Sequence, residues 1–166
     1  NLNAIDPHPP FFPPKEFLDR YNPEAIPLPL YRDSDAARQE EFWEIDQQWK
    51  KIQDVRQYDP EEDIDQSKIP LSERNLFDFP PDTYDARMVK ACYYAMIEMV
   101  DDRIGAVLDT LERTGQAENT IVIFTSDHGE MMGDHGMLYK GCRFFEGLVH
   151  VPLIIRWPGV SKPASK

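Results

Sequence analysis

Two short apolar runs and two periodic stretches organise the chain. Thr120-Ile121-Val122-Ile123-Phe124-Thr125 is β-branched and aromatic with no charge, the pattern of a strand buried on both faces. Val151-Pro152-Leu153-Ile154-Ile155-Arg156 reads as a second buried strand, closed by a turn at Trp157-Pro158-Gly159. Upstream, Met88, Cys92, Met96, Met99, Ile104, Val107 and Leu111, supplemented by Val100 and Leu108, recur at helical spacing. They predict a helix from Tyr84 to Arg113, capped by Asp82 or Thr83 and stopped by a left-handed Gly115. Phe42, Ile45, Trp49 and Ile52 predict an earlier amphipathic helix over residues 34–57, capped by Ser34 or Asp35, with an acidic start and Lys50-Lys51 suited to the helix dipole. A helix leading through QAENT into a buried strand is the helix-to-parallel-strand connection, so the expected class is α/β, with a mostly parallel sheet flanked by helices.

Proline changes the picture at the front. Pro7, Pro9, Pro10, Pro13, Pro14, Pro23, Pro27 and Pro29 fix φ and remove amide donors, predicting an extended, irregular segment. Phe11, Phe12, Phe17, Leu18 and Tyr21 make it too apolar for a free tether, and Lys15 to Tyr21 reads as one short helical turn. Residues 58–82 read as an exposed insertion. Its cluster Asp59, Glu61, Glu62, Asp63 and Asp65 lacks the central glycine and terminal glutamate of a calcium loop, and a solvated acidic loop is the better reading. The chain therefore divides into a Pro-rich segment (1–33), a helix with an acidic loop (34–82), and a core helix, strand, Gly-rich loop and second strand (83–166), all of one partial domain.

Charge and cysteine usage narrow the function classes. Thirty acidic against 18 basic residues give a net charge of −12 over 166 residues, which argues against nucleic-acid binding. No apolar run approaches the ~20 residues of a membrane span. Cys92 and Cys142 are too few for a disulfide framework. Cys92, on the apolar face of the long helix, reads as a buried thiol, and nothing around Cys142 suggests an activated nucleophile.

Candidate chemistry gathers where the first strand ends. Asp127 and His128 follow it at once, and in open α/β sheets ligands bind at the carboxyl ends of strands. A carboxylate oxygen beside an imidazole nitrogen can form half of a metal site; the competing reading is a capping Asp and a structural His. Gly129, Gly133 and Gly136 let the following backbone turn tightly, and Lys140 lies where that loop can double back. His135 in GDHG suits substrate contact or loop hydrogen bonding equally, and His150 reads as structural. Asp101 and Asp102 sit on adjacent helical positions about 100° apart, so they do not easily share an ion.

SDHGEMMGDHGMLYK, then HVPLIIRWPG, with YYAMIEMVDDRIGAVLDTLERTG upstream and PHPPFFPPKEFLDRY near the start, together resemble the sulfatase family of the alkaline-phosphatase-like superfamily. The resemblance covers both ends and the second half, leaving roughly residues 30–80 unmatched. It implies an alkaline-phosphatase-like sheet and a sulfuric ester hydrolase, of which this chain is an internal or partial stretch. It implies Asp127 and His128 as ligands of a divalent cation, most often Ca2+ with Mg2+ or Mn2+ as alternatives. It also implies Lys140 as the lysine on a sulfate oxygen and His8 as a histidine contacting the sulfate. The family's nucleophile is a formylglycine made in a Cys/Ser-x-Pro-x-Arg motif, which does not occur in these residues, so the chain alone is not expected to turn over substrate. The implied partners are a small sulfate ester or a sulfated glycan and the remainder of the polypeptide, in a periplasmic, secreted or lysosomal setting. Two alternatives stand beside this: a phosphodiesterase or phosphonate monoester hydrolase of the same superfamily, and a non-catalytic metal-binding module.

Overall fold

The computed structural model describes residues 2–40, 85–137, 140 and 143–162. In chain order these form α1 (Lys15–Leu18), α2 (Asp33–Glu40), α3 (Ala86–Arg113), β1 (Val122–Thr125), α4 (Glu146–Val149) and β2 (Leu153–Arg156), with single 3-10 turns at Pro23–Ala25, Ala117–Asn119 and Asp134–Gly136. The expected continuation of α2 to residue 57, the acidic loop at 58–82 and Cys142 lie outside the described residues.

The long helix starts and stops where local chemistry requires. Asp82 and Thr83 fall outside the described residues, and the cap is Asp85, whose carboxylate accepts from the Arg87 and Met88 N–H groups at 2.9 and 3.1 Å. At the other end Gly115 takes φ +69°. Its N–H donates to Glu112 O and that of Gln116 to Leu111 O, the paired bonds that satisfy the last carbonyls of a helix. α2 is capped otherwise than expected: Asp35 lies inside its first turn and reaches back to accept the Arg32 N–H at 2.8 Å.

α1 and the turn at Pro23–Ala25 lie against α3, so the Pro-rich segment is packed rather than free. Phe17 and Ile26 are buried, and Phe11 meets Tyr93 edge-on at 5.7 Å. Phe11, Met96 and Met132 make one core cluster, flanked by Val89, Cys92 and Tyr93; Met131, Met137 and Leu148 make a second, flanked by Tyr31, Ala36 and Phe145. The adjacent Met131 and Met132 thus point into different clusters and clamp the chain just beyond the first strand.

The sheet departs from expectation. Among the described residues β1 has one neighbour, β2, and the pairing is antiparallel, Val122 opposite Arg156 through Thr125 opposite Leu153. Neither strand is buried: Ile123 is 61% and Ile154 62% exposed. The apolar runs do become strands, but burial on both faces needs layers that these residues do not supply. α3 repeats the point. Its buried face is Ala86, Lys90, Ala91, Ala95 and Met96 in the N-terminal half, whereas Met88, Val107 and Leu108 of the anticipated stripe are exposed.

Candidate active site at the exit of the first strand

β1 ends at Thr125, and Ser126 to Glu130 carry the chain out of the sheet. The passage is held by a close backbone approach. Gly129 N–H donates to Leu148 O of α4 at 2.9 Å, and a Cβ on Gly129 would stand 2.0 Å from the Gly147 carbonyl oxygen. Only glycine admits that approach, and it fixes where Asp127 and His128 emerge.

Asp127 is largely open to solvent, its side chain 87% exposed. Its Oδ1 accepts the His128 backbone N–H at 2.9 Å and faces the Ser126 hydroxyl at 3.4 Å. That backbone donor first, and then the His128 ring, hold its carboxyl below the usual aspartate range, so it is an anion at neutral pH. His128 Nδ1 lies 2.8 Å from Gly129 O. A carbonyl can only accept, so Nδ1 is a protonated nitrogen, and in the neutral ring Nε2 is the one that carries the lone pair. Nε2 stands 3.8 Å from Asp127 Oδ2. One anionic oxygen and one imidazole lone pair at that separation suit a single cation with ligand distances of about 2.0–2.6 Å. Among the described residues no third His, Cys, Asp or Glu completes the set.

Glu130 was not singled out from the sequence. Its side chain is 4% exposed, with Oε2 3.5 Å from Lys140 Nζ and Oε1 accepting the Met131 N–H at 3.3 Å. Burial pushes its carboxyl above the usual glutamate range, against the pull of Lys140. The Lys140 side chain is 29% exposed, so the loop has brought the lysine back against the strand exit. A lone acid between Gly129 and two methionines was the available signal: a charge in an apolar stretch needs a partner.

His135 and His8 are placed differently. His135 has φ +57°, donates its backbone N–H to Leu30 O at 2.7 Å, sets Nδ1 3.3 Å from Asp35 Oδ1 and stacks on Phe145 at 4.5 Å. Next to it, Asp134 Oδ1 accepts the Leu30 N–H at 2.8 Å and lies 3.9 Å from the nearly buried Lys90 Nζ. The GDHG turn is thereby tied to the Pro-rich segment, to α2 and to α3. His8 is exposed, with Nδ1 2.8 Å from Pro9 O, and among the described residues no hydrogen bond or ion pair joins it to Asp127, His128 or Lys140. The geometry pairs Asp127 with His128 and, two residues on, Glu130 with Lys140, while His8 and His135 make their own bonds elsewhere. Cys92 is half-buried with its thiol pKa raised by burial, in keeping with an unreactive cysteine, and Asp101 and Asp102 are exposed.

The chain is 33% identical over 158 residues to an arylsulfatase of Clostridium perfringens, covering 95% of this chain and 27% of that protein. Among solved structures it resembles the phosphonate monoester hydrolase of Agrobacterium radiobacter, with a TM-score of 0.64 and 34% identity over 93% of this chain and 28% of the other. It also resembles that of Silicibacter pomeroyi, with a TM-score of 0.65 and 29% identity over 92% and 27%. The chain thus spans about a quarter of the length of these relatives. No described helix is long and apolar enough to cross a membrane. The family model for sulfatases matches residues 5–166, and the chain belongs to the sulfatase family.

Proposed function

We propose that the chain supplies one wall of the active site of a sulfuric ester hydrolase whose nucleophile, a formylglycine, lies elsewhere in a longer polypeptide. The observation that supports the reading is the Asp127–His128 pair, 3.8 Å apart at the strand exit, with Lys140 held 3.5 Å from Glu130 two residues further on, in a chain of this family. Asp127 and His128 hold a divalent cation, best Ca2+ given the hard carboxylate, with Mg2+ or Mn2+ as alternatives. When bound, that cation supplies Lewis-acid polarisation of the sulfate oxygens and lowers the pKa of the attacking hydroxyl. Lys140 offers a fixed ammonium to a sulfate oxygen and to charge developing on the leaving oxygen. His8 adds a donor to the sulfate once the rest of the polypeptide surrounds the Pro-rich segment. His135 keeps the loop in place through Asp35, Leu30 and Phe145. The substrate is a small sulfate ester or a sulfated glycan, and the field of a chain with net charge −12 is overcome locally by cation and lysine.

The likeness to two phosphonate monoester hydrolases supports a second reading, hydrolysis of a phosphonate or phosphate ester, because an Asp–His metal pair and a lysine serve either atom. Turnover of an aryl sulfate and of an aryl phosphonate monoester by the full-length polypeptide separates the two, with the sulfate expected to have the higher kcat/KM. Asp127→Ala should lose the divalent cation, read as metal content after dialysis, together with turnover. A variant that keeps both refutes the metal assignment.

A further inference from the structure

Three features of the structure stand outside the reaction outlined above. Among the described residues nothing beside the bare faces of β1 and β2 says what covers them, and Cys92 is a half-buried thiol whose pKa burial raises. The third is the buried carboxylate of Glu130, which the reaction as outlined does not use.

Glu130 follows the Asp127–His128 pair by only a few bonds, whereas Lys140 comes ten residues later at the far end of the Gly-rich loop. A lysine side chain has four rotatable bonds, and a loop lysine without a fixed partner would sample many positions. Here Nζ stands 3.5 Å from Glu130 Oε2, and the carboxylate is immobilised by burial and by the Met131 N–H on its other oxygen. Met131 is itself locked in the cluster with Met137 and Leu148. The chain of constraint therefore runs from the core through Met131 to Glu130 and from there to the ammonium.

We infer that Glu130 is a positioning residue: it sets where the Lys140 ammonium stands relative to Asp127 and His128, so that a leaving oxygen on a substrate held there meets the charge. This deepens the hydrolase reading and rests on it. Glu130 touches no substrate atom; it acts through the lysine alone. Two consequences follow from that division of labour. Loss of Glu130 should matter only while Lys140 is present, and it should matter most for esters whose leaving group is poor, because those need the ammonium most.

The test is a double-mutant cycle in the full-length polypeptide with its divalent cation, using aryl sulfates of graded phenol acidity. Glu130→Gln keeps the shape and the acceptor for Met131 while removing the charge. It is expected to lower kcat by about 10- to 100-fold for the poorest leaving group, as for a misplaced catalytic group, and much less for the best one, with KM and metal content near wild type. Glu130→Asp, with the charge retracted by one methylene, should fall between. In a Lys140→Ala background Glu130→Gln should add less than about twofold, since interacting groups are non-additive. An equal effect of Glu130→Gln with and without Lys140, or one uniform across leaving groups, overturns the positioning role. Should Lys140→Ala itself leave turnover unchanged, the assigned role of the lysine fails instead. Glu130→Asp and Lys140→Ala keep the cycle readable if Glu130→Gln folds poorly, because a purely structural Glu130 would give Glu130→Asp no leaving-group dependence.

Discussion

Replacing Gly129 with alanine is the most economical challenge to the site as described. The added Cβ would lie 2.0 Å from the Gly147 carbonyl oxygen and 3.0 Å from its carbon, both backbone atoms that cannot rotate away. Reaching an ordinary contact requires the strand exit and α4 to separate by more than about 1 Å, since contacts below 3.0 Å are essentially never adopted. That displacement loosens the 2.9 Å bond from Gly129 N–H to Leu148 O and pulls Leu148 from its cluster with Met131 and Met137. Overpacking of this kind costs about 1–3 kcal/mol, and a strained backbone hydrogen bond adds about 1 kcal/mol. Urea unfolding of the full-length protein should register a loss of roughly 2–4 kcal/mol on those magnitudes. Calcium titration of the same variant should show weakened binding, because Asp127 and His128 ride on the displaced segment. Gly147→Ala is the control: its Cβ would meet Glu130 O at 3.6 Å and Met131 Sδ at 3.7 Å, ordinary contacts, so stability should hold within about 0.5 kcal/mol. A Gly129→Ala protein with wild-type unfolding midpoint and calcium affinity would refute the account of how the strand exit is held.

Two further predictions test the scaffold. Asp85→Ala removes the acceptor for two N–H groups at the start of α3 and should cost about 1 kcal/mol in urea unfolding, with Asp85→Asn largely restoring it. Lys90, whose folded pKa burial pushes below the ordinary 10.5, binds fewer protons folded than unfolded between those two values, so its contribution to stability rises with pH across that window. The difference in unfolding free energy between wild type and Lys90→Met should therefore shift in favour of wild type as pH climbs toward 10.5, and a constant or opposite trend would contradict the buried placement of the lysine.

The elements were legible because their signals are local. Hydrophobic periodicity located α3, an uncharged β-branched run located β1, and Gly115 marked the helix end by being the residue that adopts φ +69° without strain. The Asp127–His128 pair was legible too, being contiguous at a strand's end. Glu130, the anchoring of His135 on Asp35 and the tether from Lys90 to Asp134 were not, since each joins residues 10 to 100 positions apart and no spacing rule encodes such a meeting. The helix cap moved from Asp82 or Thr83 to Asp85 because several polar residues compete there, and the one that wins is decided by where α3 must begin to pack.

By itself, then, the order of residues determined the type of each element, the family and the presence of a carboxylate–imidazole pair at a strand exit, all consequences of neighbours along the chain. The tertiary structure decided which of those residues meet. It buried Glu130 against Lys140, turned His135 into a strut for the loop, and left the apolar faces of β1 and β2 bare. The physical reason is that contacts between distant segments depend on how apolar surfaces stack and which backbones can approach closely, and these are properties of the assembled fold rather than of any local stretch of it.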